Sequence, residues 1–139
     1  VKEVFGITPC EFQARDAIAQ LDRKDCITLA HTGSGKTLTF WAPLLFNDNG
    51  IIIMVTALNI LGDQNAAELA GLCISAVNIT AETATDSLFK EIEAGKHQVI
   101  IVNPEKILND SHFNCLWENK NRTLDRINSS GFIYKIYHL

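Results

Sequence analysis

The residues best suited to chemistry lie together in Ala30-His31-Thr32-Gly33-Ser34-Gly35-Lys36-Thr37. The segment follows the phosphate-binding pattern G-x-x-x-x-G-K-[ST], with Ala30 at the first glycine place. Gly33 and Gly35 allow backbone N–H groups to wrap an anion without obstruction from a Cβ atom. Lys36 would reach the β- and γ-phosphates of a nucleoside triphosphate, and the Thr37 hydroxyl would ligate Mg²⁺. The bland alternative is a chance Gly-Ser turn. The elements expected on either side of the loop argue against it.

Those elements follow from the spacing of apolar residues. Ala14, Ile18 and Leu21 fall at i, i+4 and i+7, which predicts an amphipathic helix over Pro9–Leu21. Cys26–Ala30 is a short apolar run, read as a buried strand leading into the loop. Lys36–Phe46 reads as the helix after the loop, and the turn formers Asn47-Asp48-Asn49-Gly50 end it. Further strands are expected at Ile51–Thr56, Cys73–Asn78, Gln98–Val102 and Gly131–Tyr137. Leu58, Leu61, Leu69 and Leu72 mark a helix with Gly71 near its end, and Leu88 with Ile92 marks another stopping at Gly95. Pro104 opens a helical stretch, and Ser111–Ser129 reads as an irregular one. Alternation of this kind predicts an α/β fold, a largely parallel sheet with helices on both faces.

The 139 residues form one domain's worth of chain, and 47% hydrophobic against 20% charged residues suffices for a buried core. The longest apolar run, Ile51–Val55, is strand-sized, far below the roughly 18 residues of a membrane span. A net charge of −4 argues against a broad basic face for nucleic acid. Residues 1–105 carry 7 basic and 13 acidic groups, whereas residues 106–139 carry 5 and 3, so a nucleic-acid contact has to be local. Cys10, Cys26, Cys73 and Cys115 show no CxxC pairing, and no leader pattern opens the chain. Reduced thiols in the nucleus or cytoplasm are the expectation. A start at Val1 rather than Met suggests an excerpt or a processed product.

Alanine followed by Thr-Gly-Ser-Gly-Lys-Thr resembles the first motif of superfamily 2 helicases, and the surrounding chain points to their RecQ-like group. Phe5-Gly6 opens the region, and Gln13 stands where that family has its upstream glutamine. The resemblance gives Gln13 the adenine edge, which suits a side chain that both donates and accepts in one plane. The family's arginine just before that glutamine has no counterpart. Ala57-Leu58-Asn59-Ile60-Leu61-Gly62-Asp63-Gln64 is similar to the P-L-x-x-L-x-x-Q motif, and Val102-Asn103-Pro104-Glu105 to the T-P-E motif. Both imply contacts to a single-stranded DNA backbone, carried here by Thr56, Gln64 and Asn103. Leu58 and Leu61 read as core, and Glu105 as a cap on the helix that Pro104 begins. By this resemblance residues 1–139 are one ATP-binding domain, the first of two RecA-like domains, C-terminally truncated. The cofactors implied are ATP and Mg²⁺.

The pattern breaks after the last strand. The family follows it with Asp-Glu-Ala-His, the Asp holding Mg²⁺ through water and the Glu orienting the attacking water. Here Lys135, Ile136, Tyr137 and His138 follow, and only the histidine agrees. Loss of both acids should cost several orders of magnitude in hydrolysis rate. The expectation is therefore a domain that at most binds nucleotide. Its rivals are a helicase-derived scaffold without turnover and another phosphate-loop kinase or ATPase. Other residues carry blander readings. His112 and Cys115 have ligand-like spacing but no second pair. Glu91 and Glu93 read as solvated charge, Phe40 and Trp41 as packing, and Tyr134 and Tyr137 as anchors of the last strand. Lys120, Arg122 and Arg126 read as a solvated helix face.

Overall fold

The structure is a computed structural model that describes residues 1–31, 33–46, 50–57, 59–118 and 132–134. It divides into two compact units, Val1–Asp48 and Asn49–Leu139. In the first unit, α1 (Lys2–Phe5) is a single turn closed by Gly6 at φ 67°. Helix α2 (Glu11–Leu21) lies within the expected span and buries Gln13, Asp16, Ala17 and Gln20. After the loop, α3 (Leu38–Trp41) lasts one turn and tightens into a 3-10 helix over Ala42–Phe46. A continuous α-helix to Phe46 was the expectation. Pro43 explains the difference, because it has no N–H for the Thr39 carbonyl and its ring crowds that turn. Trp41 is buried, as expected for a packing residue.

A second correction concerns Cys26–Ala30. The segment is not a strand, and Ile27 and Leu29 are 94% and 93% exposed. Thr28 turns the other way, and its hydroxyl donates to Asp16 Oδ2 at 2.5 Å. A strand exists only where a neighbour completes its hydrogen-bond ladder, and the described residues of this unit contain none.

The second unit carries the sheet. Its elements are β1 (Ile52–Val55), α4 (Asn59–Gly71), β2 (Ala76–Ile79), α5 (Asp86–Glu93), β3 (Val99–Val102), α6 (Pro104–Asn109), α7 (Ser111–Glu118) and β4 (Phe132–Tyr134). All pairings are parallel, in the order β2-β3-β1-β4. β1 and β3 are buried at every position, so both run apolar throughout rather than alternating. The register aligns Val77, Ile100 and Ile53, and likewise Ile79, Val102 and Val55, on one face. Phe89 and Ile92 of α5 and Phe113 and Leu116 of α7 close over them as the main core.

The opposite face carries Asn78, Ile101 and Met54, and α4 packs there. The chain crosses β3 to reach β2 and then reverses to β3, which puts α4 and α5 on opposite faces if both crossovers take the usual hand. The α/β expectation, with helices on both faces, therefore holds. Gly71 ends α4 as anticipated, but Cys73 takes the left-handed turn at φ 59°.

One close approach fixes α4 on the sheet. A Cβ on Gly62 would lie 2.5 Å from Asn78 Oδ1, while Asn78 Nδ2 donates to Asp63 Oδ1 at 2.8 Å and to the Asn59 carbonyl at 3.1 Å. Gly62→Ala must displace this amide, and we expect a loss of about 1–3 kcal/mol in urea unfolding. The same substitution should cost clearly less in an Asn78→Ala background. Equal costs in both backgrounds would rule out the contact as the cause.

Candidate nucleotide and nucleic-acid sites

The phosphate-loop residues belong to the first unit. Gly33 and Gly35 stand at φ 80° and 75°, a region that a Cβ strongly disfavours, so both glycines are required by the turn itself. Ser34 N donates to the His31 carbonyl at 3.3 Å, and Leu38 N to the Gly35 carbonyl at 3.1 Å. Lys36 Nζ donates to the Ala30 and His31 carbonyls at 2.7 and 3.0 Å. Thr37 is half-buried and opens α3. The Ser34 hydroxyl oxygen is buried without a hydrogen-bond partner. Thr32 lies outside the described residues.

Gln13 is tied to this loop. It is 7% exposed, its Oε1 accepts from Cys10 N at 2.9 Å, and its Nε2 donates to the Gly35 carbonyl at 2.8 Å. One side chain thus serves the start of α2 and the second loop glycine together. The lower part of the loop is held separately, through Thr28 to Asp16, whose other oxygen lies 3.5 Å from Arg15 Nε. A cleft of about 330 Å³ opens beside these residues, lined by Phe12, Arg15, Asp16, Leu29, His31 and Ser34. Asp16 and Thr28 carried no motif signal. The apolar stripe expected at Ala14, Ile18 and Leu21 points the other way: Ile18 is 59% exposed, and α2 buries Gln13, Asp16, Ala17 and Gln20, of which Gln13 and Asp16 find partners at Gly35 and Thr28.

Thr56, Gln64 and Asn103 belong to the second unit. β1 and β3 pair in register at Val55 and Val102, and Thr56 N donates to the Val102 carbonyl at 3.0 Å. Thr56 and Asn103 therefore sit side by side at the carboxyl edge of the sheet, where open α/β sheets bind ligands. Thr56 is 3% exposed and its Oγ1 has no hydrogen-bond partner. Asn103 caps α6 by accepting from Lys106 N at 2.7 Å, and its Nδ2 faces Asn59 Oδ1 at 3.4 Å. The cap expected of Glu105 is thus made by Asn103, and Glu105 is an exposed first-turn residue. Gln64 is exposed on α4. Asn59, which bridges Asn103 and Asn78, went unnoticed among the leucines of its helix.

Lys120, Arg122, Arg126 and Lys135–His138 lie outside the described residues. Among the described residues no group of three His, Cys, Asp or Glu side chains can hold a metal ion. All four cysteines are free. No described helix is long and apolar enough to cross a membrane.

The small parallel sheet with its flanking helices is the architecture of a RecA-like α/β domain. Residues 10–133 match the DEAD/DEAH box helicase family, and the chain belongs to it. It is similar to the Arabidopsis thaliana protein named ATP-dependent DNA helicase Q-like SIM, 29% identical over 105 residues. It is similar also to a Caenorhabditis elegans protein provisionally named ATP-dependent DNA helicase Q1, 27% identical over 113 residues. These matches cover 75% and 77% of this chain but only 12% and 18% of the two relatives.

The double use of Gln13 yields a test that needs no ligand. Gln13→Ala should destabilise the first unit by about 1–2 kcal/mol, from a lost helix-start contact and a lost bond to the loop. Hydrogen exchange should speed up at residues 10–14 and around Gly35. Unchanged exchange at both places would show that the contacts carry no stability.

Proposed function

We propose that this chain is the first RecA-like domain of a RecQ-like ATP-dependent DNA helicase. It would bind ATP with Mg²⁺ on Thr32–Thr37 and the backbone of a single DNA strand at Thr56, Gln64 and Asn103. The observation that carries the nucleotide reading is the glycine pair at φ 80° and 75° directly before Lys36 and Thr37. Their geometry suits a run of backbone N–H groups turned toward one anion, and the unpartnered Ser34 hydroxyl adds a donor. When bound, ATP with Mg²⁺ supplies the phosphoryl group and the charge that holds it. Lys36 would give up one of its two carbonyl contacts to neutralise a phosphate, and the Thr37 hydroxyl would ligate the metal. Gln13 would meet the adenine edge by exchanging its bond to the Gly35 carbonyl.

On the nucleic-acid side the candidates are uncharged donors. The Thr56 hydroxyl is buried without a partner, so a phosphate oxygen would complete it only after the sheet edge opens to admit one. The Asn103 amide is held at 3.4 Å only, a weak bond that such an oxygen replaces readily. We read the chain as unable to turn ATP over or unwind DNA alone, because Lys135 and Ile136 replace the two acids of the resembling motif. A scaffold without nucleotide is the second reading, and the self-satisfied Lys36 ammonium favours it.

Titration with a fluorescent ATP analogue and Mg²⁺ separates the two. We expect saturable binding that Lys36→Ala abolishes, with phosphate release no faster than in that variant. No binding by either folded protein would leave the scaffold. Binding of a single DNA strand should be weak, with a salt slope well below that of a contact made by several lysines or arginines. A steep slope would place the contact on cations instead of Thr56, Gln64 and Asn103.

A further inference from the structure

Remote from the loop residues in sequence, α7 begins with a histidine placed between two carboxylates. His112 Nδ1 lies 2.8 Å from Asp110 Oδ1, and Nε2 lies 2.7 Å from Asp86 Oδ1 on α5. The same Asp110 oxygen accepts the backbone N–H of His112 at 3.0 Å, and its other oxygen accepts from Lys106 Nζ of α6 at 3.2 Å. The imidazole stacks on Phe89 of α5, with ring centres 4.6 Å apart and planes 13° from parallel. Phe89 in turn meets Phe113 edge-on at 5.4 Å, and both phenylalanines are buried in the core.

An ionised carboxylate accepts hydrogen bonds and has none to give. Each ring nitrogen faces such an oxygen, so both contacts are hydrogen bonds together only when the ring is the imidazolium. A neutral ring keeps one bond and turns a lone pair on the other carboxylate. Besides the carboxylates, the stacked face of Phe89 favours the charged ring. The start of a helix carries a partial positive charge, which disfavours a cation at the second residue of α7. The groups facing the ring are Asp86 from α5, Asp110 from the end of α6, and Lys106 through Asp110. The aromatic neighbours Phe89 and Phe113 are uncharged.

We propose that His112 is a proton-operated clamp joining the start of α5 to the α6–α7 corner. Protonated, it bridges Asp86 and Asp110 across the Phe89 ring. Deprotonated, it releases one carboxylate, and the first turn of α7 loosens from α5. The clamped corner joins α6, which Asn103 caps, to α7, so the proton sets how firmly these two helices are seated against α5.

The direction follows from the two groups. The hydrogen bond to Asp86, then that to Asp110, holds the His112 pKa above its ordinary 6.5 against the opposing effect of burial. Its contribution to stability is complete below about pH 6.5 and is lost as pH rises through the folded value. Burial pushes Asp110 up, but the bonds from His112 and Lys106 outweigh it and leave the carboxyl below 3.8. Its contribution is present above 3.8 and is lost as pH falls through the folded value. The clamp is therefore closed in mildly acid solution and opens on the alkaline side.

Proton NMR of the imidazole and hydrogen exchange across residues 111–116 test this on the intact chain. His112 should titrate above 6.5. After correction for intrinsic rates, protection of these amides should fall between about pH 5.5 and about pH 8.5. Asp86→Asn should lower the His112 titration midpoint and flatten that pH dependence. Asp86 is 84% exposed, so this variant should keep the fold. His112→Gln should abolish the dependence if it folds. A wild-type midpoint at or below the ordinary value, equal protection at both pH values, or an Asp86→Asn variant that behaves as wild type would each overturn the clamp.

Discussion

The parallel pairing of β1 with β3 is the constraint on which the second unit depends. It joins residues 52–55 to residues 99–102, far apart in sequence, and does three things at once. It fixes which side chains share a face, so that Ile53, Val55, Ile100 and Val102 meet α5 and α7 while Met54 and Ile101 meet the α4 side. It brings the carboxyl ends of both strands level, so Thr56 and Asn103 become neighbours. It also leaves β2 and β4 to add on the outer edges. A slip by one residue would exchange the faces and separate the polar pair. Two of the proposed nucleic-acid contacts are thus by-products of core register, needing no specialised loop.

Buried amides carry out the finer positioning in both units. Asn78 sits in an otherwise apolar strand, and its amide reaches Asn59 and Asp63 on α4. That contact requires Gly62, because any side chain there would occupy the space of the amide. Gln13 plays the matching part in the first unit, joining the start of α2 to Gly35. A buried polar group is costly unless paired, so each of these amides accepts one arrangement of its surroundings and resists others. Apolar packing alone would hold the elements together less specifically.

Much of this was legible in the residues. Strands buried on both faces declare themselves as unbroken apolar runs, and the expected Ile51–Thr56 and Gln98–Val102 lie within one residue of the bounds of β1 and β3. The glycines of the loop were legible because backbone geometry demands them. What escaped was partnership. Cys26–Ala30 has strand composition, but composition does not say whether a neighbouring strand is available. Pro43 was outweighed by the apolar residues around it, although its missing N–H ends the α-helix. Asn59, Asn78 and Asp16 look like ordinary polar residues until the fold brings their partners beside them. His112 was weighed as a metal ligand with Cys115, whereas its real neighbours came from α5 and the end of α6.

An acidic chain that is to hold anions has to do so without a general positive field. With a net charge of −4, long-range attraction is unfavourable, and recognition must come from short-range donors. The candidate groups fit that demand. Backbone N–H groups around Gly33 and Gly35, the Ser34 and Thr56 hydroxyls and the Asn103 amide are all neutral, and Lys36 is the cation in the loop itself. Neutral donors must already be in place, because nothing draws the ligand in while they adjust. Gln13 braces the loop at the Gly35 carbonyl, and strand register sets Thr56 beside Asn103. His112, in the second unit, faces two carboxylates of its own. Among the described residues Lys24, Lys96 and Lys106 each face a carboxylate, so much of the positive charge there is taken up by ion pairs within the chain.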